Sequence, residues 1–218
     1  MAVWNGLVHG IEWVMQQIYL VTHSYGLAII LLTIVVRVII MPLYHGQLRY
    51  MRKMQEMQPE MKRIQAKFKG DPQKLNQEMM DLYKRVGTNP LSGCFPMVVQ
   101  LPLLYAFYAA LIHFHYVGSR SFLWLHSLSK PDPYFILPIL VGVTTFWQTF
   151  ATMPSAGVDR SQQLLTYVLM PALLFYVSMR YASGLSLYWV VATLFTIAQA
   201  YVSGAARPFA PAAKVHEK

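Results

Sequence analysis

Residues 25–44 read Y-G-L-A-I-I-L-L-T-I-V-V-R-V-I-I-M-P-L-Y. A helix rises about 1.5 Å per residue, so this stretch reaches about 30 Å, the thickness of the hydrocarbon core of a bilayer. Four more segments have comparable length and apolarity, at about 94–116, 134–152, 163–180 and 184–203. The fold class this predicts is an all-α membrane protein with five transmembrane helices. Composition agrees: 56% of the 218 residues are hydrophobic and 12% charged, against about 25% charged in soluble domains. The formal net charge of +9 fits anionic headgroups, and RNA-bearing partners, better than specific DNA binding, because the cations cluster in one segment between apolar runs.

Residues 1–22 differ from the spans. Val3, Trp4, Leu7, Ile11, Trp13, Val14, Ile18 and Leu20 leave a polar face with Asn5, His9, Glu12 and Gln16. That pattern predicts an amphipathic helix lying at the interface, outside the cytoplasm. No basic n-region precedes it, so a cleavable signal peptide is not expected. Between the first two spans lie Arg49, Arg52, Lys53, Lys62, Arg63, Lys67, Lys69, Lys74, Lys84 and Arg85. Arg160, Arg207, Lys214 and Lys218 fall on the same side of a five-span bundle, against only Arg120, Lys130 and Arg180 on the other. The positive-inside rule then sets the N-terminus outside and the C-terminus in the cytoplasm.

Residues 45–88 form the sizeable polar segment. Met54, Met57, Met61, Ile64 and Phe68 recur at helical spacing, as do Leu75, Met79, Leu82 and Val86. Gly70-Asp71-Pro72 ends one helix and starts the next, and Pro59 is expected to start the first arm. An antiparallel cytoplasmic hairpin results, with Lys62, Arg63 and Lys67 on its outer face. Its methionines either zip the arms together or use their flexible, polarizable side chains to cradle apolar segments of other proteins. Both readings stand.

Arg37 is the cation inside the first span. A charge near the bilayer centre costs about 2.5–3.5 kcal/mol on insertion scales. Snorkelling would need Arg37 to cover about 9 Å to the interface at Leu43, so snorkelling and an inward, functional position weigh equally. The spans contain no Asp or Glu to neutralise it. Water, carbonyls or amides must then solvate it, and Thr33, one turn away, with Gln100, Gln148 and Gln199 in other spans, are the candidates. Each glutamine alone is slightly more at home in a helix–helix hydrogen bond than lining a cavity. Pro96, Pro102, Pro138 and Pro171 are expected to remove backbone bonds and kink their helices, which suits a groove.

Other chemistries lack support. Ser127-Leu-Ser-Lys130 fits S-x-x-K without its companion motifs, and His113 and His115 point to different sides of a helix. No H-E-x-x-H or phosphate loop occurs, and the single Cys94 rules out a disulfide framework. Neither an enzyme nor a cofactor is expected. A small-solute transporter or channel subunit is the alternative, disfavoured by the lack of internal repeats and membrane carboxylates.

Four stretches in order, T-I-V-V-R-V-I-I-M-P-L at 33–43, Q-P-E-M-K at 58–62 with D-P-Q-K-L-N-Q-E-M at 71–79, G-C-F-P-M-V-V-Q-L-P at 93–102 and S-G-L-S-L-Y-W at 183–189, supported by D-P-Y-F-I-L-P at 132–138, resemble the YidC/Oxa/Alb membrane protein insertases. The resemblance implies a five-helix core over residues 23–203 and a hydrophilic groove open to cytoplasm and lipid. In that groove Arg37 supplies the positive charge, and Thr33, Gln148 and Trp189 line it. It implies a hairpin that recruits nascent membrane proteins or ribosome-associated partners, with the ribosome, the signal recognition particle receptor and the Sec translocon as candidates. It also implies the plasma (inner) membrane of a bacterium. The chain shows neither the large domain before the first span of Gram-negative members nor the lipid-attachment cysteine of many Gram-positive ones. The basic tail, 204–218, is short for tethering a ribosome.

Overall fold

The computed structural model describes residues 2–87, 95–113, 121–152 and 164–204, all helical apart from turns and one isolated bridge. Cys94, Arg120, Arg160, the tail from residue 205 and the span ends at 114–116 lie outside the described residues. Helix α1 runs Ala2–Thr22 and α2 Tyr25–Lys67; α3 is Pro72–Val86 and α4 Phe95–His113. Helix α5 is Ile136–Thr152. A π-helical turn at Leu165–Leu169 leads into α6, Met170–Ser178, and α7 is Ser183–Val202. Within these, Tyr25–Pro42 and Ser183–Val202 are long and apolar enough to cross a bilayer, and Ile136–Thr152 and Leu165–Ser178 are shorter apolar helices.

Helix α1 ends because His23 turns into the left-handed region at φ 51°. Ser24 then caps α2, accepting from Leu27 N at 3.5 Å. The amphipathic face of α1 packs on α2 and α4. Met15 is fully buried, Ile11 is buried, and Tyr19 stacks on Tyr25 with ring centroids 4.0 Å apart. Trp13, Leu20 and Val21 stay exposed.

The expected start of the hairpin at Pro59 is wrong: α2 runs unbroken through Pro42 and Pro59. An interior proline removes one ladder bond without forbidding helix on either side, and the apolar face of the arm continues across it. The turn is as expected. Asp71 caps α3 by accepting from Lys74 N at 3.1 Å, Pro72 opens the helix, and Gly87 closes it at φ 66°. Pro138 also departs from expectation, since it sits in the first turn of α5, as Pro96 does in α4. Their missing N–H groups had no intrahelical partner to lose. Pro102 is interior to α4. Pro171 follows the π-helical turn, where Met170 N donates to Leu165 O five residues back.

Helix α7 is the hub, packing on both α2 and α5, and α5 packs in turn on α6. The residues before α5 fasten the end of the bundle opposite the hairpin. Ser183 N donates to Lys130 O at 2.8 Å and Gly184 N to Leu128 O at 2.9 Å. The Ser183 hydroxyl donates to Ser127 O at 3.1 Å. Leu125 and Leu128 are buried beneath them. Asp132, 3% exposed, accepts from Tyr134 N and Leu137 N at 3.0 and 2.7 Å, and so caps α5. Two glycines permit this closeness. A Cβ at Gly26 would lie inside the Phe122 ring, and one at Gly184 would meet Leu128 O at 3.2 Å.

Candidate functional site

Counting from the loop-side ends of their helices, Arg37 stands twelve residues into α2 and Thr196 thirteen into α7, while Gln100 stands thirteen before the end of α4. At 1.5 Å per residue all three sit roughly 18–20 Å below that end, at one level of the bundle. There the three helices converge. Arg37 is 7% exposed; one terminal nitrogen donates to Thr196 Oγ1 at 3.2 Å and the other to Gln100 Oε1 at 3.3 Å. Gln100 Nε2 donates to the Tyr188 hydroxyl at 3.0 Å, and the Tyr188 ring stacks on Phe107 at 4.3 Å. Snorkelling is thereby excluded, because the guanidinium points into the bundle and not toward its hairpin end.

The geometry fixes the orientation of the amide. A guanidinium only donates, so the oxygen of Gln100 must face Arg37, leaving its NH2 for Tyr188. Both bonds to Arg37 are at or beyond the long end of the usual 2.7–3.2 Å range for N–H···O. Through these two bonds the cation is solvated by neutral acceptors.

The other candidates divide. Thr33 lies one turn from Arg37 and is 1% exposed, but its hydroxyl is taken by its own helix, donating to Ile29 O at 2.6 Å. Trp189, seven residues before Thr196 and so on nearly the same face of α7, donates from Nε1 to Thr145 Oγ1 of α5 at 3.2 Å. Gln148 is half-buried on α5, three residues beyond Thr145 and so on the face that Trp189 meets. The structure therefore joins Gln100 to Arg37 and bonds Trp189 to α5, the helix that carries Gln148. Thr196 and Tyr188 were missed as partners, although each lies on the helix that carries Ser186 and Thr193. Gln199 Nε2, one turn beyond Thr196, is shielded from solvent with no partner among the described residues.

In the hairpin, Met54, Met57 and Met61 are 8%, 4% and 3% exposed and pack with Ile64 and Leu82, flanked by Phe68, Leu75 and Met79. The zipping role is thus met within the hairpin itself. Lys62, Arg63 and Lys67 are exposed, and Lys67 Nζ stands 5.1 Å from the centre of the Phe68 ring. Glu56, Glu60, Arg63, Lys67, Glu78 and Arg85 rim a concavity of about 550 Å³ over Pro59, Ile64 and Phe68. Ser127, the serine of the S-x-x-K pattern, is spent structurally: its hydroxyl lies 3.4 Å from Ser129 N and its carbonyl accepts from Ser183. No cluster of three metal-ligating side chains occurs among the described residues.

Comparisons with known proteins bear on the chain and its fold. The family described as the 60Kd inner membrane protein matches residues 17–207. The chain is 42% identical over 183 residues to the membrane protein insertase MisCA of Bacillus subtilis strain 168, covering 82% of this chain and 70% of that one. It is 39% identical over 208 residues to the membrane protein insertase YidC of Alkalihalophilus pseudofirmus, covering 91% and 81%. With YidC of Wolinella succinogenes it shares 41% over 186 residues, covering 85% of this chain but only 34% of that protein. Among solved structures, the crystal structure of an active YidC insertase with its first transmembrane domain resolved superposes with a TM-score of 0.71 at 28% identity. The match covers 91% of this chain and 46% of that one.

Proposed function

The chain belongs to the 60Kd inner membrane protein family, and we propose that it is a membrane protein insertase of the bacterial inner membrane. It receives nascent membrane proteins on the hairpin side and releases their apolar segments into the bilayer. The observation that carries this reading is Arg37, a buried cation within a span, whose terminal nitrogens make long bonds to the neutral acceptors Thr196 and Gln100. Such a cation attracts acidic residues on the polar tail of a substrate, and the surrounding amides and hydroxyls lower the desolvation cost of that tail. The substrate's apolar segment meanwhile partitions into lipid, and burying about 20 apolar residues is favourable enough that no nucleotide is required.

The rest of the reading follows from sequence and resemblance. Five spans cross the membrane with the N-terminus outside and the C-terminus in the cytoplasm. Arg37, Thr33, Gln100, Gln148 and Trp189 line a groove open to cytoplasm and lipid. The exposed Lys62, Arg63 and Lys67 of the hairpin meet headgroups or ribosome-associated partners.

Reconstitution tests it. Purified protein in liposomes is expected to insert a single-span substrate with an acidic translocated tail. Arg37→Ala is expected to slow that insertion about tenfold, in proportion to one charge-assisted hydrogen-bonding interaction. Arg37→Lys keeps the charge but cannot fork to both Thr196 and Gln100, so it should fall between the two. Equal rates for wild type and Arg37→Ala would remove the basis of the reading.

A further inference from the structure

We infer that Gln100 is the specificity residue of this site: its neutral amide is a ligand that an acidic tail displaces from Arg37, and its neutrality leaves the charge of that cation uncompensated at this contact. The inference rests on the insertase reading and adds to it the element that sets the preference for acidic tails. Arg37 donates to Gln100 Oε1 at 3.3 Å, while Gln100 Nε2 is anchored at 3.0 Å to the Tyr188 hydroxyl. The anchor is thus the shorter bond and the contact with Arg37 the longer. A carboxylate is a stronger acceptor for a guanidinium than a neutral amide oxygen, since it brings a full negative charge and can engage the fork of the guanidinium with both oxygens. An incoming Asp or Glu can therefore take the place of Oε1, while Tyr188 keeps the amide from swinging its NH2 group toward the cation. A carboxylate built into position 100 would occupy Arg37 permanently. An apolar side chain there would remove this competitor. The two changes push in opposite directions, which distinguishes a competing ligand from a merely structural residue.

The test uses the full-length protein in detergent and two single-span peptides, one with three Asp residues in its polar tail and one with three Asn. The readout is the ratio of their affinities. Gln100→Glu is expected to lower the wild-type preference for the Asp tail about tenfold, and Gln100→Leu to raise it several-fold. Loss of packing alone would weaken both peptides and leave the ratio in place. Should Gln100→Leu misfold, Tyr188→Phe provides a second route: it releases the amide and should shift the ratio in the Leu direction by a smaller factor.

A second measurement needs no substrate. The rate at which phenylglyoxal modifies Arg37, followed by peptide mass spectrometry, is expected to run Gln100→Leu fastest, wild type next and Gln100→Glu slowest. An Arg37 rate, or a peptide ratio, that moves the same way in both Gln100 variants would overturn the role of Gln100. The expected order of rates, with no wild-type preference for the Asp tail, would instead overturn the reading of Arg37 as the attractor of substrate.

Discussion

At single positions, the tightest constraints lie where backbone meets backbone at the loop end of the bundle. Gly184 lets α7 approach the loop so closely that its N–H reaches Leu128 O, and an added Cβ would also meet Ile29 Cδ1 and Leu111 Cδ2 at 3.3 Å. The carbonyl cannot retreat without breaking that bond. Gly184→Ala is therefore expected to cost about 1–3 kcal/mol, as overpacking of a close-packed interior does, measured as a lower unfolding temperature in detergent. Asp132 gives a complementary case. Asp132→Ala strands the buried Leu137 N–H at the start of α5 and removes the partner of the Tyr134 N–H before it, and should cost about 1–3 kcal/mol, whereas Asp132→Asn retains one acceptor and should recover part of it. Arg37 was legible from sequence because a lone cation in an apolar run has few options. Its partners were legible only in part, Gln100 standing among four candidates and Thr196 among none. Gln100 and Thr196 lie 63 and 159 residues away along the chain, and nothing local in the sequence says which amide or hydroxyl will face the guanidinium. Thr33, by contrast, was placed on the right face but satisfied by its own helix, an outcome always open to a helical threonine.

Helices were readable in proportion to how local their signals are. The Asp71–Pro72 start of α3 uses a cap written within four residues and was found where expected, whereas the equally local Gly87 that ends the helix was not singled out. Pro59 misled because a proline at a first turn and a proline inside a long helix look alike until the neighbouring packing is known. Here the buried row Met54, Met57, Met61 and Ile64 crosses it and holds the helix together. Met61→Ala should then loosen the hairpin by about 2–5 kcal/mol, seen as faster amide exchange in α3 while α5 and α7 keep their protection. Burial raises the Tyr83 phenol above its ordinary value of 10.0. The folded hairpin thus holds that proton more tightly than the unfolded chain, and the associated stability is complete below about pH 10 and lost as the pH rises beyond it. Tyr83→Phe should abolish this loss in unfolding experiments run between pH 9 and 11.

Across the whole chain, polarity is arranged as lipid requires. Val38, Ile39, Val143, Phe146 and Leu194 are exposed while Thr33, Arg37, Ser186 and Thr193 are buried, the reverse of a soluble domain. The apolar runs announced this arrangement, but they did not say that the last helix packs between α2 and α5, since apolar spans carry no label for their neighbours. One consequence belongs to no single helix: α2 carries Arg37 in the bundle and the methionine row of the hairpin on the same unbroken rod. The azimuth of the hairpin is then fixed relative to Arg37 at 3.6 residues per turn. Inserting two alanines between Gly46 and Tyr50 would rotate the hairpin by about 200°, turning its basic face away from its present side. Inserting seven would restore the face within about 20° while moving it about 10 Å outward. If the hairpin hands substrate to the cation, insertion activity should fall sharply with two residues and largely return with seven. A loss that grows only with inserted length would point instead to a flexible tether, and the rigid coupling of hairpin to Arg37 would be wrong.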